Sequence, residues 1–566
     1  MRDLLFIIYI ACVFINSTVW AQSDPLTYEY TSPYRGAGQL TIYNDSDETI
    51  TLNAVSFLSN AKVVGTPWGT LWGWQSKINT QDDPDGMHYL SKIDERPLIL
   101  IKPKSSAYLT YQLDLKHLGG PFNPNNLAMD PSQVQVMLPD SQGPIVVPIR
   151  HHCVAEACHD PGHGLRIMGY YPNWAYWRNP AYTADLLPFD KMNTVGYAFA
   201  IFDNNGQVSL YDLDSDSVNL PIISQARKRY PYLNASLSFG GWSWSSTPSG
   251  WHCQIGSSPH GPAECFSQMA ADPIATAAFV THAVQAMKEV NFNGIDIDWE
   301  YPINPDDVKN YINLLQKLRI ALDQQSQLDH QIYFLTTAVP GGIDKINALT
   351  ASQWQTVASV TDFMGVMTYD FHGPWDQGYT CSNFMSAMQL DPAHDPSTQH
   401  VTLSKYNVTD AMGAYVTNGV ASQKLLLGIP LYGRMVQIKQ QGLLFGLYQP
   451  IIGTPQGEWD NVQSGFTGMI DYQCIIDQQA CGNHYLLPRL TRVNPENHAL
   501  GYYAKTPWGY SPDFFMTYDD LDSAAYKATW VKNQQFGGVM LWDLTGDFKS
   551  TDSRSIINKI YQIFSQ

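Results

Sequence analysis

Residues 292–302 read FNGIDIDWEYP, and this short run decides the fold. Side chains of a β-strand alternate between its two faces, so Asp296, Asp298 and Glu300 point one way. Ile295, Ile297 and Trp299 alternate with these carboxylates and point the other way. In a closed barrel one face looks into the interior and the other packs on helices, so the carboxylates would face the barrel axis. Glu300 would then stand at the C-terminal end of its strand, where barrel active sites are found.

The sequence from Leu165 onward alternates short apolar segments with longer helical patterns, which is typical of parallel βα units. The predicted strands are Arg166–Tyr171, Asn193–Phe202, Leu233–Phe239, Phe292–Asp298, Ile332–Ala338, Phe363–Tyr369, Leu425–Leu431 and Gly537–Trp542. Eight such strands predict an α/β fold, a (β/α)8 TIM barrel over residues 165–566. Residues from about 435 to 515 are too many for a loop and predict an inserted α+β subdomain.

The first 164 residues divide into three predicted regions. Residues 1–21 are typical of a signal peptide, because an apolar run follows Arg2 and a small-residue cleavage site ends at Ala21. Residues 22–150 contain alternating, β-branched segments separated by turn residues, which predict a small β-sandwich. Residues 151–164 are predicted to be a linker. We therefore expect a secreted, extracellular protein, and we find no other stretch apolar enough to span a membrane.

The cysteines fit an exported protein, in which disulfides can form. Cys12 leaves with the signal peptide, and six of the remaining seven fall into close pairs: Cys153 with Cys158, Cys253 with Cys265, and Cys474 with Cys481. We expect each pair to close a small loop, although sequence alone does not fix the connectivity. Cys381 is left over and is interpreted as a buried free thiol.

The charge and the aromatic content bear on the partner. A formal charge of −18 disfavours nucleic acid and anionic membranes, whereas a neutral polymer is compatible with it. Aromatic residues make up 13% of the chain, and flat rings stack well on the faces of sugars. A cluster of Trp68, Trp72 and Trp74 would form either a polysaccharide-binding platform or part of a sandwich core. Nothing in the sequence requires a metal or a cofactor, and we expect a monomer.

The spacing of the three carboxylates also indicates their chemistry. Carboxylates stacked along one strand cannot all ionise at low cost, so at least one apparent pKa should rise. A raised pKa is what a general acid needs near neutral pH. Two other interpretations are a solvated acidic face of a half-exposed strand and a Mg²⁺ or Ca²⁺ site.

The same segment resembles the DxxDxDxE signature of glycoside hydrolase family 18, the chitinases and their relatives. Companion motifs follow in the family's order: Ser238–Gly241 resembles SxGG, Met367–Asp370 resembles MxYD, Leu431–Arg434 resembles the end of the seventh strand, and Gly537–Trp542 resembles the eighth. The insertion resembles the chitinase insertion domain of bacterial chitinases. The resemblance covers almost everything from residue 165 onward.

The resemblance implies hydrolysis of β-1,4 linkages of N-acetylglucosamine with retention, in which the substrate's acetamido oxygen is the nucleophile. Glu300 would protonate the glycosidic oxygen and then activate water. Asp298 would orient the acetamido N–H and share a proton with Asp296. Tyr369 would hold the acetamido oxygen, unless its hydroxyl serves a core hydrogen bond, and Asp370 would bind the distorted sugar.

The substrate implied is chitin or a chito-oligosaccharide. Its predicted contacts are Tyr171, Phe199, Gly240, Gly241, Trp242, Met367, Asp370, Tyr432, Arg434 and Trp542. Tyr432 and Arg434 would either line the cleft or pair with Asp370, and the two glycines would permit close approach or simply form a tight turn. Further tryptophans expected near the rim are Trp174, Trp177, Trp244 and Trp375.

The chain departs from the family signature at its first position, where Asn293 replaces an aspartate. An asparagine can still bond to Asp296, but it removes one negative charge from the stack. We expect this to change the pH profile without abolishing activity.

Three other functions remain open at this point. An enzyme of the same family could act on the diacetylchitobiose core of N-glycans, although such members usually lack the insertion and the eighth-strand tryptophan. A chitin-binding lectin would usually have lost the catalytic glutamate, which is present here. A secreted adhesin would have no use for the acidic strand.

Overall fold

The computed structural model describes residues 160–566, except 211, 246–264, 330, 379, 461–464, 494–501, 506 and 508–512, together with the strands between residues 26 and 146. The chain divides into two compact units, one of residues 1–152 with 325–332 and one of the remaining residues. The predicted signal peptide, the Trp72 and Trp74 part of the platform, and most of the predicted linker lie outside the described residues, as do Cys153, Cys158 and Cys253.

The described strands of the N-terminal unit pair antiparallel in three sheets. One sheet has the order Leu26–Thr31, Ala37–Asn44, Ser105–Leu113 and Val63–Trp68. A second has the order Ile145–Val146, Gln135–Met137, Ala54–Leu58, His88–Lys92 and Ser76–Ile78. The third pairs Ile50–Leu52 with Ile99–Ile101. The β-sandwich over residues 22–150 and its carbohydrate-binding role stay predictions.

A closed parallel barrel forms the centre of the second unit. Its strands are β1 (Arg166–Pro172), β2 (Thr194–Phe202), β3 (Asn234–Gly240), β4 (Gly294–Asp298), β5 (Phe334–Pro340), β6 (Phe363–Met367), β7 (Leu425–Pro430) and β8 (Gly538–Trp542). Each strand pairs in parallel with the next, and β1 pairs with both β2 and β8, so the sheet closes on itself. The predicted (β/α)8 barrel is confirmed, with strand limits that differ by a few residues. A short strand, Val208–Leu210, extends β2 as an antiparallel hairpin.

Helices surround the barrel and connect its strands. The longer ones are α1 (Leu213–Arg229), α2 (Pro273–Glu289), α3 (Pro305–Asp329), α4 (Ala351–Val360), α5 (Val408–Thr417), α6 (Leu521–Asn533) and α7 (Ile556–Phe564). Short helical turns are Asn173–Trp177, Ala184–Leu186, Trp242–Ser245, Cys265–Ala271, Ile343–Ile346, Pro374–Asp376, Pro396–Gln399, Leu403–Lys405, Ser422–Lys424, Tyr472–Ile476, Gln478–Ala480 and Leu544–Gly546. Within the described part of the chain, none of the helices is both long and apolar enough to cross a membrane.

The alternation of β4 separates two cores, as its sequence predicts. Ile295 and Ile297 are buried in the large core between the barrel and its helices, and the Trp299 ring stacks on Phe266 at 5.0 Å. A smaller cluster fills the barrel interior, including Met168, Tyr170, Phe334, Phe363 and Met540. Because one face of each strand feeds each core, the interior can carry polar groups without weakening the packing of the helices.

An antiparallel sheet stands between β7 and β8 in the sequence. Its strands are Tyr432–Ile438, Ile451–Gly453, Met469–Asp471, Thr491–Val493, Tyr502–Lys505 and Phe514–Tyr518. The sheet therefore begins three residues before the predicted insertion and ends three residues after it. The Cys474–Cys481 disulfide closes a loop in this region, Cys265 is also disulfide-bonded, and Cys381 is a free, partly buried thiol. Burial raises the pKa of the Cys381 thiol to about 12.

A buried carboxylate, Asp547, caps the start of the last helix, whose apolar face packs in the large core. Asp547 accepts hydrogen bonds from the backbone N–H groups of Phe548, Ile556 and Ile557 at 2.8–3.0 Å and from the Ser555 hydroxyl at 2.9 Å. It therefore satisfies the first donors of α7, which have no partner inside their own helix.

Replacing Asp547 by alanine should leave several buried donors without an acceptor. Each such donor costs about 1–3 kcal/mol, so we expect the free energy of unfolding to fall by at least about 3 kcal/mol. A lower midpoint in urea would show the loss. Asp190→Ala is the matched control, because Asp190 is a half-exposed surface residue whose pair with Lys191 at 3.3 Å contributes little. Equal midpoints for the two variants would contradict the role given to Asp547.

Candidate active site

A cleft of about 560 Å³ opens at the C-terminal ends of the barrel strands. Its lining combines carboxylates, hydroxyls and aromatic rings, contributed by Tyr170, Phe199, Gly241, Trp242, Asp298, Glu300, Tyr301, Ala338, Lys345, Met367, Tyr369, Asp370, Trp375, Tyr432, Arg434, Thr467 and Trp542. Active sites of this barrel type are found at this end, because the loops there vary without disturbing the barrel.

Asp296 lies beneath the cleft, inside the barrel. Its carboxylate accepts from the hydroxyls of Tyr170 at 2.8 Å, Ser238 at 2.7 Å and Thr336 at 2.7 Å. Ser238 and Thr336 stand directly beside Asp296 in the register of β3 and β5. Burial raises the pKa of Asp296, and the three donors partly counteract the rise by favouring the charged form.

Asp298 is the next carboxylate up the strand, and it reaches the cleft. Burial raises its pKa well above the ordinary value, and the charges of Glu300 and Asp296 raise it further. Its Oδ1 atom is buried and has no hydrogen-bond partner among the described residues. An unpaired buried acceptor is costly, so a ligand that donates a hydrogen bond there would gain from filling it.

Glu300 stands just beyond the end of β4, at the mouth of the barrel. Its pKa is raised to about 7, mainly by burial and further by the charge of Asp370. A hydrogen bond with Tyr301 and the charge of Lys345 act in the opposite direction and lower the pKa. A carboxyl group with this pKa is partly protonated at neutral pH and can donate its proton.

A glycine turn after β3 supports the carboxylate strand. Gly240 has a φ of +116°, and a Cβ there would lie 2.1 Å from the carbonyl oxygen of Asp298. The N–H of Gly241 donates to that same oxygen at 2.9 Å. Gly240 therefore has a structural role beside the cleft, whereas Gly241 lines it.

One wall of the cleft joins β6 to the inserted sheet. Arg434 donates to both oxygens of Asp370, at 2.8 and 2.7 Å, and its guanidinium lies 5.3 Å from the centre of the Trp375 ring. Both alternatives for Arg434 are thus realised, because it pairs with Asp370 and lines the cleft. Tyr369 meets Tyr432 edge to face at 6.2 Å, and its hydroxyl donates to the Met540 sulfur at 3.7 Å.

Aromatic rings form the floor opposite this wall. Trp542 ends β8 and lies 5.9 Å from the Phe199 ring and 5.3 Å from the Tyr170 ring. Trp174, from the turn after β1, lies 6.1 Å from Phe199 and 6.3 Å from Trp542. The cluster offers flat apolar surface of the kind that stacks on sugar rings.

Most of the predicted site residues meet at this cleft. Those that line it are Phe199, Gly241, Trp242, Asp298, Glu300, Met367, Tyr369, Asp370, Tyr432, Arg434 and Trp542, while Asp296 and Gly240 lie just behind. Among the rim tryptophans, Trp174, Trp177, Trp242 and Trp375 are exposed, whereas Trp244 is buried and donates to the Phe202 carbonyl at 2.8 Å.

Tyr171 is the predicted contact that the structure places elsewhere. Its side chain is fully buried on the helix side of β1, where its hydroxyl donates to the Tyr182 carbonyl at 2.8 Å. The neighbouring Tyr170 faces the interior and the cleft instead. Both faces of β1 are apolar, so its sequence does not show which of the two tyrosines points into the barrel.

Four further lining residues were not anticipated: Tyr301, Ala338, Lys345 and Thr467. Tyr301 directly follows Glu300. Ala338 lies two residues after Thr336 on β5, so strand alternation points it into the barrel as well, and both residues could have been predicted from their spacing. Lys345 and Thr467 belong to connections whose path depends on tertiary packing, and the sequence carries no signal for either.

Asn293 does not bond to Asp296 as expected. Its amide donates to the Asn234 side chain at 2.9 Å, and its side-chain oxygen accepts from the Ala235 N–H at 3.0 Å. Asn293 lies an odd number of residues from Asp296, so the strand alternation turns it away from the carboxylates. Asn293 therefore has no direct contact with Asp296 through which to change the pH profile, and that change stays a prediction.

The described residues hold no group of three or more His, Cys, Asp or Glu side chains that could bind a metal ion. The cleft itself offers a carboxyl group whose pKa is raised to about 7, two further carboxylates and hydroxyl groups.

The comparisons with known proteins agree with the fold and the cleft. The family described as Glycosyl hydrolases family 18 matches residues 166–547. Chitinase A1 from Niallia circulans is 28% identical over 446 residues, covering 68% of this chain and 57% of the relative. Chitinase 1 from Aphanocladium album is 27% identical over 416 residues, covering 69% and 84%. The chain thus spans little more than half the length of Chitinase A1.

Among solved structures, the Group IV chitinase of Ostrinia furnacalis in complex with allosamidin superposes with a TM-score of 0.58 at 24% identity, covering 71% of this chain and 99% of that one. This likeness supports the barrel fold. The predicted glycoside hydrolase is confirmed by the family match, which takes in all eight barrel strands. Because that match covers more than half of the chain, the protein belongs to the glycosyl hydrolases family 18.

Proposed function

We propose that this protein is a secreted chitinase that cleaves β-1,4 linkages of N-acetylglucosamine with retention, using the substrate's acetamido group as the nucleophile. One observation carries the proposal. Glu300, with its pKa raised to about 7, shares the cleft with Asp298, whose buried Oδ1 lacks a hydrogen-bond partner among the described residues. Glu300 can donate a proton, and Oδ1 of Asp298 can accept a hydrogen bond from a ligand.

In the first step Glu300 gives its proton to the glycosidic oxygen, and the bond between that oxygen and the anomeric carbon breaks. The acetamido oxygen attacks the anomeric carbon from the other face and forms a cyclic oxazolinium ion. Its N–H donates to Asp298, which stabilises the positive charge that develops on the ring. Tyr369 lines the same cleft, and its hydroxyl would exchange its long bond to the Met540 sulfur for one to the acetamido oxygen.

In the second step Glu300, now ionised, takes a proton from water. The water attacks the anomeric carbon from the face that the leaving group vacated. The carbon–oxygen bond to the acetamido group breaks, and the sugar leaves with its original anomeric configuration.

The carboxylates of the cleft favour this route over an enzymic nucleophile. Both oxygens of Asp370 accept hydrogen bonds from Arg434, so its lone pairs are engaged. Asp298 is buried and its pKa is raised well above the ordinary value, so it is a weaker nucleophile than an exposed carboxylate, while its Oδ1 can still accept a hydrogen bond from the acetamido N–H.

The remaining features fit a neutral polysaccharide. The aromatic floor of Phe199, Trp174 and Trp542 suits the faces of successive sugars. Chitinases are among the relatives that match, and the Ostrinia furnacalis structure is a complex with allosamidin. Export is proposed from the signal-peptide pattern of residues 1–21. A platform of Trp68, Trp72 and Trp74 in the N-terminal unit would bind the enzyme to an insoluble polymer.

Replacing Glu300 by glutamine should abolish proton donation while preserving the shape of the cleft. We expect kcat on a soluble N-acetylglucosamine hexamer to fall by about 10²–10⁴-fold, with the dissociation constant nearly unchanged. Hydrolysis followed by chromatography and binding followed by calorimetry give the two quantities. Glu289→Gln is the matched control, because Glu289 is exposed on α2. A wild type that binds the hexamer without cleaving it would instead favour a lectin or an adhesin.

The pH dependence should follow the ionisation of Glu300. The acid acts only when protonated, so kcat/KM should fall as the pH rises through about 7. Lys345 lowers the Glu300 pKa by its charge, so Lys345→Met should move this alkaline limb to higher pH and Lys345→Arg should leave it in place. A limb that is identical in all three proteins would show that a group other than Glu300 controls it.

The acetamido group should be indispensable if it is the nucleophile. We expect a β-1,4 glucose oligomer of the same length, which has a hydroxyl at that position, to remain uncleaved when the hexamer is hydrolysed. Proton NMR during the first minutes should show the β-anomer of the product. Cleavage of both oligomers at comparable rates, or an initial α-anomer, would contradict the mechanism. A glycopeptide with a diacetylchitobiose core, added in parallel, tests the N-glycan alternative.

A further inference from the structure

A buried arginine outside the cleft contacts the structural elements that carry the aromatic floor and the wall formed by the inserted sheet. Arg178 follows the turn Asn173–Trp177, which carries Trp174, and its side chain is 8% exposed. Its guanidinium bonds to Thr545, lies 3.8 Å from a carboxylate oxygen of Asp543 and 3.7 Å from one of Asp471. The same group stacks on the Trp459 ring at 4.5 Å.

Two of these partners, Asp543 and Asp471, adjoin residues that line the cleft. Asp543 directly follows Trp542 of the floor. Asp471 stands opposite Tyr432 in the register of the inserted sheet, so it belongs to the strand that supports that wall. Trp174 is itself part of the floor and comes from the turn that precedes Arg178. The arginine thus meets the β1 turn, the end of β8 and the inserted sheet at one point.

The acidic partners have other bonds that hold them in place. Trp459 donates to Asp471 at 2.8 Å, and the backbone N–H of Thr545 donates to Asp543 at 2.9 Å. Glu458 lies in the same cluster and accepts from the N–H of Asp471 at 2.9 Å. A planar guanidinium with several donors can contact two carboxylates and a hydroxyl while stacking on a ring, which an ammonium cannot do.

We propose that Arg178 is a positioning residue that fixes the spacing between the aromatic floor and the inserted sheet, and so determines how tightly the cleft holds several sugars. The proposal rests on the proposed function for its ligand. It gives Arg178 no contact with substrate.

Arg178 could instead serve only to neutralise the buried charges of Asp471 and Asp543. Three variants distinguish this charge-balancing role from the positioning role. Arg178→Met removes both the charge and the link. The triple variant Arg178→Met, Asp471→Asn, Asp543→Asn removes the link together with the charges of the two carboxylates that Arg178→Met would leave without their arginine. Arg178→Lys keeps a positive charge without the planar fork. Gln473→Ala is the control, since Gln473 makes one bond to the Thr545 carbonyl at 3.0 Å and carries no charge.

All variants are made in the full chain with Glu300→Gln, so that the N-acetylglucosamine hexamer is bound and not cleaved. We expect Arg178→Met to lower the thermal midpoint and to weaken hexamer binding at least tenfold. The triple variant should regain most of the midpoint while its dissociation constant stays at least tenfold above that of the parent. Arg178→Lys should retain the midpoint and bind with intermediate affinity, and Gln473→Ala should bind like the parent.

Parent-like affinity in the triple variant would overturn the proposal, because charge balance would then account for Arg178. If Arg178→Met does not fold, the triple and Arg178→Lys variants still decide between the two roles. Failure of the proposed function is seen separately, as a wild type that binds the hexamer and does not hydrolyse it, and the ratios of dissociation constants remain interpretable in that case.

Discussion

The constraint on which the rest of the structure depends is the burial of acidic side chains inside a closed barrel. Asp296 is 1% exposed and Asp298 is 5% exposed, and water cannot solvate either of them well. Burying a carboxylate is expensive unless hydrogen bonds replace its hydration. The strands beside β4 therefore carry the hydroxyls Ser238 and Thr336 at the positions that stand next to Asp296, and β1 adds Tyr170 from across the barrel.

The same requirement shapes the turns that surround the stack. The Asp298 carbonyl accepts from the Gly241 N–H and from the Ser245 hydroxyl, each at 2.9 Å, so the end of β4 is fixed from the side of β3. A side chain at Gly240 would collide with that carbonyl. On the opposite side, Arg434 neutralises Asp370, which otherwise would add a third charge to the mouth of the cleft. The inserted sheet is thus an electrostatic part of the site as well as a wall.

Strand alternation explains how much of this arrangement could be predicted from the sequence. It places Asp296, Asp298 and Glu300 on one line because their spacing is two residues and the residues between them are apolar. The alternation gives no answer for Tyr170 and Tyr171, where both faces of the strand are apolar and either phase is plausible. For Asn293, motif matching led to the wrong contact, although the odd spacing already indicated the other face. Lys345 and Thr467 reach the cleft through the packing of connections, which a local pattern does not encode.

The three carboxylates differ in hydrogen bonding and in the pKa shift they undergo because their surroundings change along the strand. Asp296 is deepest and has three hydroxyl donors, so it is the one best prepared to stay ionised. Asp298 has an oxygen without a partner among the described residues and two acidic neighbours, so it favours a shared proton and an incoming donor. Glu300 lies where the strand ends, and the burial that raises its pKa to about 7 leaves it able to give and to regain a proton near neutrality. One strand thus places three carboxylates in three different surroundings, and in the proposed mechanism these suit an anchor, an acceptor and an acid.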